Sequence, residues 1–199
     1  MLKRNFTLVE LMIAIAIIAI LAGMLIAAAN GAIKKAEKAK AKSGAVELVN
    51  AIRHYQSEYG VLPVASFSSS SCLDGNTSKT AYQTFIKMLQ GDDTACTSLG
   101  ENSRRIQFLE KTNNGDDEDI YKDPWDKNFI IYVDHNQNGQ ISGITGLIKK
   151  ADSDDDAIVY QPAVVLSYGP KGKSNDYSNF VYSLNVDYVK AKNKYVVTK

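Results

Sequence analysis

Oxygen-bearing side chains alternate along residues 134–142, a pattern typical of a calcium loop. The donors occupy the first, third, fifth, seventh and ninth positions, the seventh through its backbone carbonyl: Asp134, Asn136, Asn138, Gln140 and Ser142. A tight turn aims every second side chain inward, and the glycine at the sixth position, Gly139, permits the sharp bend. The spacing therefore predicts Ca²⁺ as a cofactor of this segment.

The same loop also fits a plain turn without a metal. Its twelfth position is Thr145 and not the bidentate glutamate of an EF-hand, so the pattern is incomplete. A missing carboxylate would come from the acidic run that follows, from Asp152, Asp154, Asp155 or Asp156. Asn and Gly are also the ordinary residues of a hairpin turn. Both interpretations stay open on the sequence alone.

Catalysis and nucleic-acid binding are not expected. The two histidines, His54 and His135, have no nucleophile or metal-ligand spacing nearby, and there is no glycine-rich phosphate loop. The formal net charge is +1, from 23 basic and 22 acidic residues. No basic patch with interleaved aromatic residues appears. The sequence predicts a protein that is not an enzyme and has no nucleic-acid partner.

Glu10 is the one acidic residue near the start of a long apolar segment at the N-terminus. Residues 11–29 carry no charge, and about 20 apolar residues cross a bilayer as a helix. Glu10 stands at the edge of this run, where a carboxylate is costly unless it finds a partner. It lies one helical turn after Phe6. An ordinary secretory signal cut near Ala29, or a plain membrane anchor, is the alternative explanation of the run.

The elements behind the apolar segment predict an α+β fold. Residues 30–60 continue the helix with one apolar face, formed by Ala45, Leu48, Val49, Ile52, Tyr55 and Tyr59. Gly60 and Pro63 end it. Residues 61–122 are expected to be a variable loop region with a short helix at 81–89. Residues 123–199 hold strand candidates at 129–133, 163–168 and 179–184, which predict a small antiparallel sheet covering the helix.

The N-terminal string Phe-Thr-Leu-Val-Glu at 6–10, followed by the apolar run, resembles the class III signal of type IV pilins and of type II secretion pseudopilins. The resemblance implies a pilin-like fold and a prepilin peptidase that removes the leader peptide, residues 1–5. The peptidase would cut between Asn5 and Phe6 and methylate the new amine. The family usually has Gly where this chain has Asn5. The resemblance also implies that Glu10 pairs with the Phe6 amine of a neighbouring subunit.

Two further motifs are similar to the sheet of the major pseudopilins of type II secretion: Asp-Pro-Trp at 123–125 and a Ser-x-Gly turn at 167–169. In that family calcium binds in the loop after the second turn, and Asp176 is the matching carboxylate here. The neighbouring lysines weaken this second candidate metal site. The resemblance covers residues 6–63 and about 123–184.

Cys72 and Cys96 are the two cysteines of the chain. In an exported domain such a pair predicts a disulfide, which would contribute about 3 kcal/mol if unstrained. The alternative is two unrelated buried thiols.

The resemblance implies a structural subunit of a type IV pilus-like filament, with the pseudopilin of a type II secretion system as the first choice. Its partners would be copies of itself, other pilins or pseudopilins, the prepilin peptidase and the inner-membrane assembly platform. The helix would anchor it in the bacterial inner membrane with the domain exported, although the lysines that follow residue 33 favour the opposite orientation. A pilin for adhesion, motility or DNA uptake, and a membrane-anchored exported calcium-binding recognition domain, are the alternatives.

Overall fold

A computed structural model describes residues 7–67, 72–111, 121–148, 158–189 and 194–197. The chain separates into two compact units, Met1–Ala39 and Lys40–Lys199. The leader peptide, Asn5 and Phe6 lie outside the described residues, and so does the acidic run at 152–156.

One helix, α1 (Leu8–Tyr59), runs through both units. It is long and apolar enough to cross a membrane, and none of its most apolar stretch is buried by the rest of the protein. Burial begins at Ala41 and follows the predicted face, with Ala45, Leu48, Val49, Ile52 and Tyr55 buried. The helix ends at Tyr59, and Gly60 after it has a φ of 72°, the left-handed conformation typical of the residue that follows a helix.

A four-stranded antiparallel sheet forms the centre of the second unit. Its order is β1 (Cys72–Asp74), β2 (Ile130–Val133), β4 (Ala163–Ser167) and β5 (Val181–Tyr182). The predicted α+β fold, a long helix with a small antiparallel sheet, is confirmed. One strand of the sheet, β1, comes from the region that was expected to be loop.

The two faces of this sheet pack on different hydrophobic clusters. Leu73, Ile131 and Val165 face the cluster that holds the buried side of α1 and the helix α2 (Lys79–Leu89). Alternate residues, such as Tyr132 and Leu166, face a second cluster. Because side chains alternate along a strand, every residue of β2 and β4 is buried.

The chain adds elements that the sequence did not predict. Helix α3 (Asp93–Leu99) follows α2 and is capped by Asp92, whose carboxylate accepts the Ala95 N–H at 3.0 Å. A second sheet of three strands has the order β3 (Leu147–Ile148), β7 (Lys194–Val197) and β6 (Val186–Val189), with β3 and β7 parallel. Leu147 and Tyr195 of this sheet belong to the second cluster.

Candidate functional site

The start of α1 positions Glu10. Thr7 precedes the first helical residue, and its hydroxyl accepts the Glu10 N–H at 3.3 Å. In return the Glu10 carboxylate accepts the Thr7 N–H at 3.0 Å and the Thr7 hydroxyl at 2.7 Å. This reciprocal pair is a capping box, which satisfies backbone N–H groups that the first turn leaves without a helical partner. It also holds the Glu10 carboxylate at the N-terminal end of the apolar helix.

The apolar side chains behind Glu10 are exposed all around the helix. The large ones between Leu8 and Leu25 have exposed fractions from 53% at Ile17 to 74% at Leu8. A continuous apolar surface of this extent marks a membrane or protein contact. Glu10 is the charged group of the stretch, so it is the group there that can bind a cation or an ammonium.

The 134–142 loop forms a turn built around Asp134. This carboxylate is buried, with 5% of the residue exposed, and accepts the Asn138 N–H at 3.1 Å and the Gly139 N–H at 2.6 Å. The Asn138 side-chain oxygen accepts the Gln140 N–H at 2.9 Å. Gly139 has a φ of 79°, as the sharp bend requires. Asn136 and Ser142 are exposed.

The described residues supply one carboxylate to this loop. Thr145, at the twelfth position, is directed elsewhere: its hydroxyl lies 2.9 Å from the Tyr132 hydroxyl, and its carbonyl accepts the Tyr182 hydroxyl at 2.6 Å. Within the described ranges no three His, Cys, Asp or Glu residues come together in a group that could hold a metal. Asp134 is thus the carboxylate of this loop among the described residues, and the acidic run at 152–156, from which further ligands were expected, lies outside them.

The two C-terminal motifs are joined by a buried hydrogen-bond network. Asp123 Oδ1 accepts the N–H groups of Trp125 at 3.0 Å and Lys127 at 2.9 Å, while Oδ2 accepts the Ser167 hydroxyl at 2.5 Å. The same hydroxyl oxygen accepts the Gly169 N–H at 2.9 Å. The Asp-Pro-Trp turn and the Ser-x-Gly turn thus form one unit. Trp125 itself is half-buried.

Asp176, the second candidate calcium ligand, has both oxygens engaged. Oδ1 accepts the Ser178 N–H at 3.1 Å, and Oδ2 pairs with the Lys171 ammonium at 3.0 Å. Hydrogen bonds from Ser178 and then from Lys171 lower the pKa of this carboxyl to about 2.

The predicted disulfide between Cys72 and Cys96 is not formed. The half-buried Cys72 lies on β1 and packs on the second cluster, whereas Cys96 lies on α3 and is buried in the first. The four-stranded sheet stands between the two clusters, so the side chains point to opposite faces. A disulfide needs Cβ atoms about 4 Å apart. Compartment and composition suggested the bond, whereas in this structure the two thiols lie on opposite faces of the sheet.

Two site residues were not found from the sequence. Thr7 was readable, because Thr followed three residues later by Glu before an apolar run is a capping-box pattern. Lys127 could not be read from the sequence. Its ammonium donates to the carbonyls of Gly169 at 3.0 Å and Pro170 at 2.9 Å, and no residue near Lys127 in the sequence indicates this contact.

Residues 6–26 match the family model of the prokaryotic N-terminal methylation motif, which is typical of type IV pilins and pseudopilins. The N-terminus of the chain is therefore type IV pilin-like, as the string at 6–10 predicted. Pilin-like proteins are structural and not enzymatic. Comparison with curated proteins and comparison with solved structures each gave no match to the chain.

Proposed function

We propose that this protein is a structural subunit of a type IV pilus-like filament, held in the bacterial inner membrane by α1 before assembly, with its C-terminal unit exported. One observation carries the proposal: a methylation motif at residues 6–26 opens a helix whose apolar side chains are exposed on every side and whose first turn holds Glu10. Such a surface needs lipid or other copies of the same helix around it.

Glu10 supplies a free-energy difference that favours transfer of α1 from lipid into the filament. Moving a helix from lipid into a helix bundle exchanges one apolar environment for another, so the hydrophobic effect alone does not favour the transfer. A carboxylate at the edge of lipid is costly, and pairing with an amine removes much of that cost. After cleavage before Phe6, the amine of an incoming subunit is the matching partner. The prepilin peptidase and an inner-membrane assembly platform are the implied protein partners.

Within this class we favour a type II secretion pseudopilin over an adhesive or motility pilin. The Asp-Pro-Trp and Ser-x-Gly turns support this choice, because Asp123 and Ser167 make the two motifs one structural unit. The large variable region at 61–122 favours a pilin instead. The disulfide, which would also have favoured a pilin, is absent from the structure.

Intact mass of the protein purified from its native membrane tests processing. We expect loss of residues 1–5 and addition of one methyl group. An uncut chain would favour an anchored binding domain. A cut near Ala29 would mean a secreted protein and would overturn the filament proposal.

Two substitutions separate the charge of Glu10 from its capping role. Glu10→Gln keeps a side-chain oxygen that can accept the Thr7 N–H but has no charge, whereas Glu10→Ala loses both. We expect both variants to reach the membrane at the wild-type level and to be missing from sheared filaments. Wild-type incorporation of Glu10→Gln would show that the charge is not what drives assembly.

A calcium-binding role for the 134–142 loop is a second proposal, supported by the D-x-N-x-N-G pattern and by the bend at Gly139. Asn136→Ala removes an exposed side-chain oxygen that could bind calcium. We expect weaker calcium binding by calorimetry and an unchanged stability in a chelator. Asp134→Ala should lower stability by about 1 kcal/mol even in the chelator, because two backbone N–H groups on exposed residues lose their acceptor and water replaces it only in part. Equal calcium heats for wild type and Asn136→Ala would favour the plain turn.

A further inference from the structure

The turn that follows β4 gathers carbonyl oxygens in one place. After Ser167 the chain bends through Gly169, which has a φ of 71°, and Gly172, which has a φ of 70°. The Gly172 N–H donates to the Gly169 carbonyl at 3.1 Å. The carbonyls of Gly169 and Pro170 point toward the same position. Converging backbone carbonyls are the type of ligand that calcium takes in proteins.

The ammonium group of Lys127 occupies that position. Its Nζ donates to the Gly169 carbonyl at 3.0 Å and to the Pro170 carbonyl at 2.9 Å. An ammonium carries one positive charge and three donors, so two carbonyl acceptors at hydrogen-bond distance satisfy most of its bonding capacity. A divalent cation among the same carbonyls would lie beside this charge and be repelled by it.

Lys127 is held in place at both ends. Its backbone N–H donates to Asp123 Oδ1 at 2.9 Å, inside the network that joins the two turns. Its tip lies against Gly172, where an added Cβ would come within 3.3 Å of Nζ. The Ser167 hydroxyl also fixes the Gly169 N–H, so the turn and the lysine are positioned by the same buried carboxylate.

A second lysine neutralises the carboxylate of the loop. Lys171 pairs with Asp176 Oδ2 at 3.0 Å, while Oδ1 accepts the Ser178 N–H. The residue that the pseudopilin resemblance assigns to calcium is therefore already engaged on both oxygens. With Lys127 on the two carbonyls and Lys171 on Asp176, the oxygen atoms of this loop do not fit a divalent metal ion.

We propose that the Lys127 ammonium is a built-in cation that closes the turn between β4 and β5, with Lys171 compensating Asp176, so that this turn forms without a divalent cation. The inference goes beyond the filament proposal. It concerns the C-terminal unit of a single chain and is measured on unassembled protein, so it can fail while the filament proposal stands, and the reverse.

Hydrogen exchange followed by mass spectrometry tests it on the full-length protein in detergent, in peptides that cover residues 165–178. The wild-type comparison comes first: exchange of these peptides should be the same in a chelator and in millimolar calcium. Calcium-dependent protection of about threefold or more that is confined to residues 168–178 would overturn the proposal, whereas calcium bound at the 134–142 loop would act first on β4, which pairs with β2.

Two variants then test the lysine itself. Lys127→Met keeps the length of the side chain without its charge and should speed exchange in these peptides about tenfold, in chelator and calcium alike. Lys173→Met is the matched control, because Lys173 is exposed and makes a long surface ion pair, 3.7 Å, with Asp74. After correction for the intrinsic rate of its changed sequence, it should exchange as wild type does. Wild-type exchange in Lys127→Met would refute the role of the ammonium. Should Lys127→Met not fold, the wild-type comparison decides alone.

Discussion

Replacing Asp123 with Ala should be among the most damaging single changes in the C-terminal unit. The residue is 5% exposed, and its carboxylate accepts three hydrogen bonds, from the N–H groups of Trp125 and Lys127 and from the Ser167 hydroxyl. These bonds hold the two turns together. Ala removes every acceptor at once.

The size of the effect follows from the surroundings of each donor. Trp125 and Lys127 are half-buried, so water can reach their N–H groups after the change and part of their loss is recovered. Ser167 is fully buried and would lose its acceptor without replacement, which costs about 1–3 kcal/mol. Together with the weakened backbone bonds we expect a loss of about 3 kcal/mol in the free energy of unfolding. For a chain of this length that is a fall in Tm of about 6–12 °C.

Thermal unfolding of the full-length protein in detergent measures this loss. Trp125 is the only tryptophan, so its fluorescence reports on the turn, and far-UV circular dichroism provides an independent probe. Asp126→Asn is the matched control. Asp126 is exposed and pairs with Lys122 at 2.8 Å, a surface pair that contributes about 0.5 kcal/mol, and its φ of 61° is one that Asn adopts readily. If Asp123→Ala lowers Tm no more than Asp126→Asn, the buried network does not stabilise the unit.

Two further predictions concern buried groups. Glu101 Oε1 accepts the Val64 and Ala65 N–H groups while Oε2 is buried without a hydrogen-bond partner, and burial raises the pKa of this carboxyl. The folded pKa of Glu101 lies above the unfolded one, about 4.3, so the wild-type protein loses stability as the pH rises above that value and the carboxyl ionises. Gln cannot ionise, so the Tm of Glu101→Gln relative to wild type should increase between pH 4 and pH 7. A Tm difference that stays constant over this range would contradict the prediction. For Cys72 and Cys96, thiol titration of the unreduced protein under denaturing conditions should find both thiols, and finding neither would restore the disulfide.

The long helix and the main strands could be predicted because their signals are local. One apolar face repeats at helical spacing from Ala45 to Tyr59, and Gly60 then ends the helix in a conformation that glycine favours. Strand β2 and the middle of β4 are runs of branched or aromatic apolar residues, and every residue of both strands is buried.

The missed elements depend on distant partners. Strand β1 has three residues and is a strand because it pairs with β2 far along the chain, with Leu73 opposite Ile131. The second sheet likewise requires the C-terminal residues to pair with Leu147 and Ile148. Helix α3 is different: Asp92 and Gly100 are readable caps, and a seven-residue helix between them was within reach of the sequence.

The candidate site residues also differ in whether local sequence or only the fold reveals them. Glu10 stands out because a single acid at the edge of an apolar run is conspicuous in any sequence. Asp134 was found by spacing, but its carboxylate is turned to its own backbone, which the sequence pattern cannot distinguish from metal binding. Lys127 acts on carbonyls more than forty residues away, and only the fold brings them together.

Burial divides α1 into two parts. From Ala45 onward the helix shares a hydrophobic cluster with the sheet and with α2, so its packing is satisfied within one chain. The large apolar side chains from Leu8 to Leu25 are exposed, and they add nothing to the core of the C-terminal unit. Substitutions such as Asp123→Ala should therefore lower the stability of that unit without moving the chain from the membrane. Substitutions at Glu10 should change assembly without changing the Tm of the unit. The two classes of variant test separately the stability of the C-terminal unit and the proposed role of Glu10 in assembly.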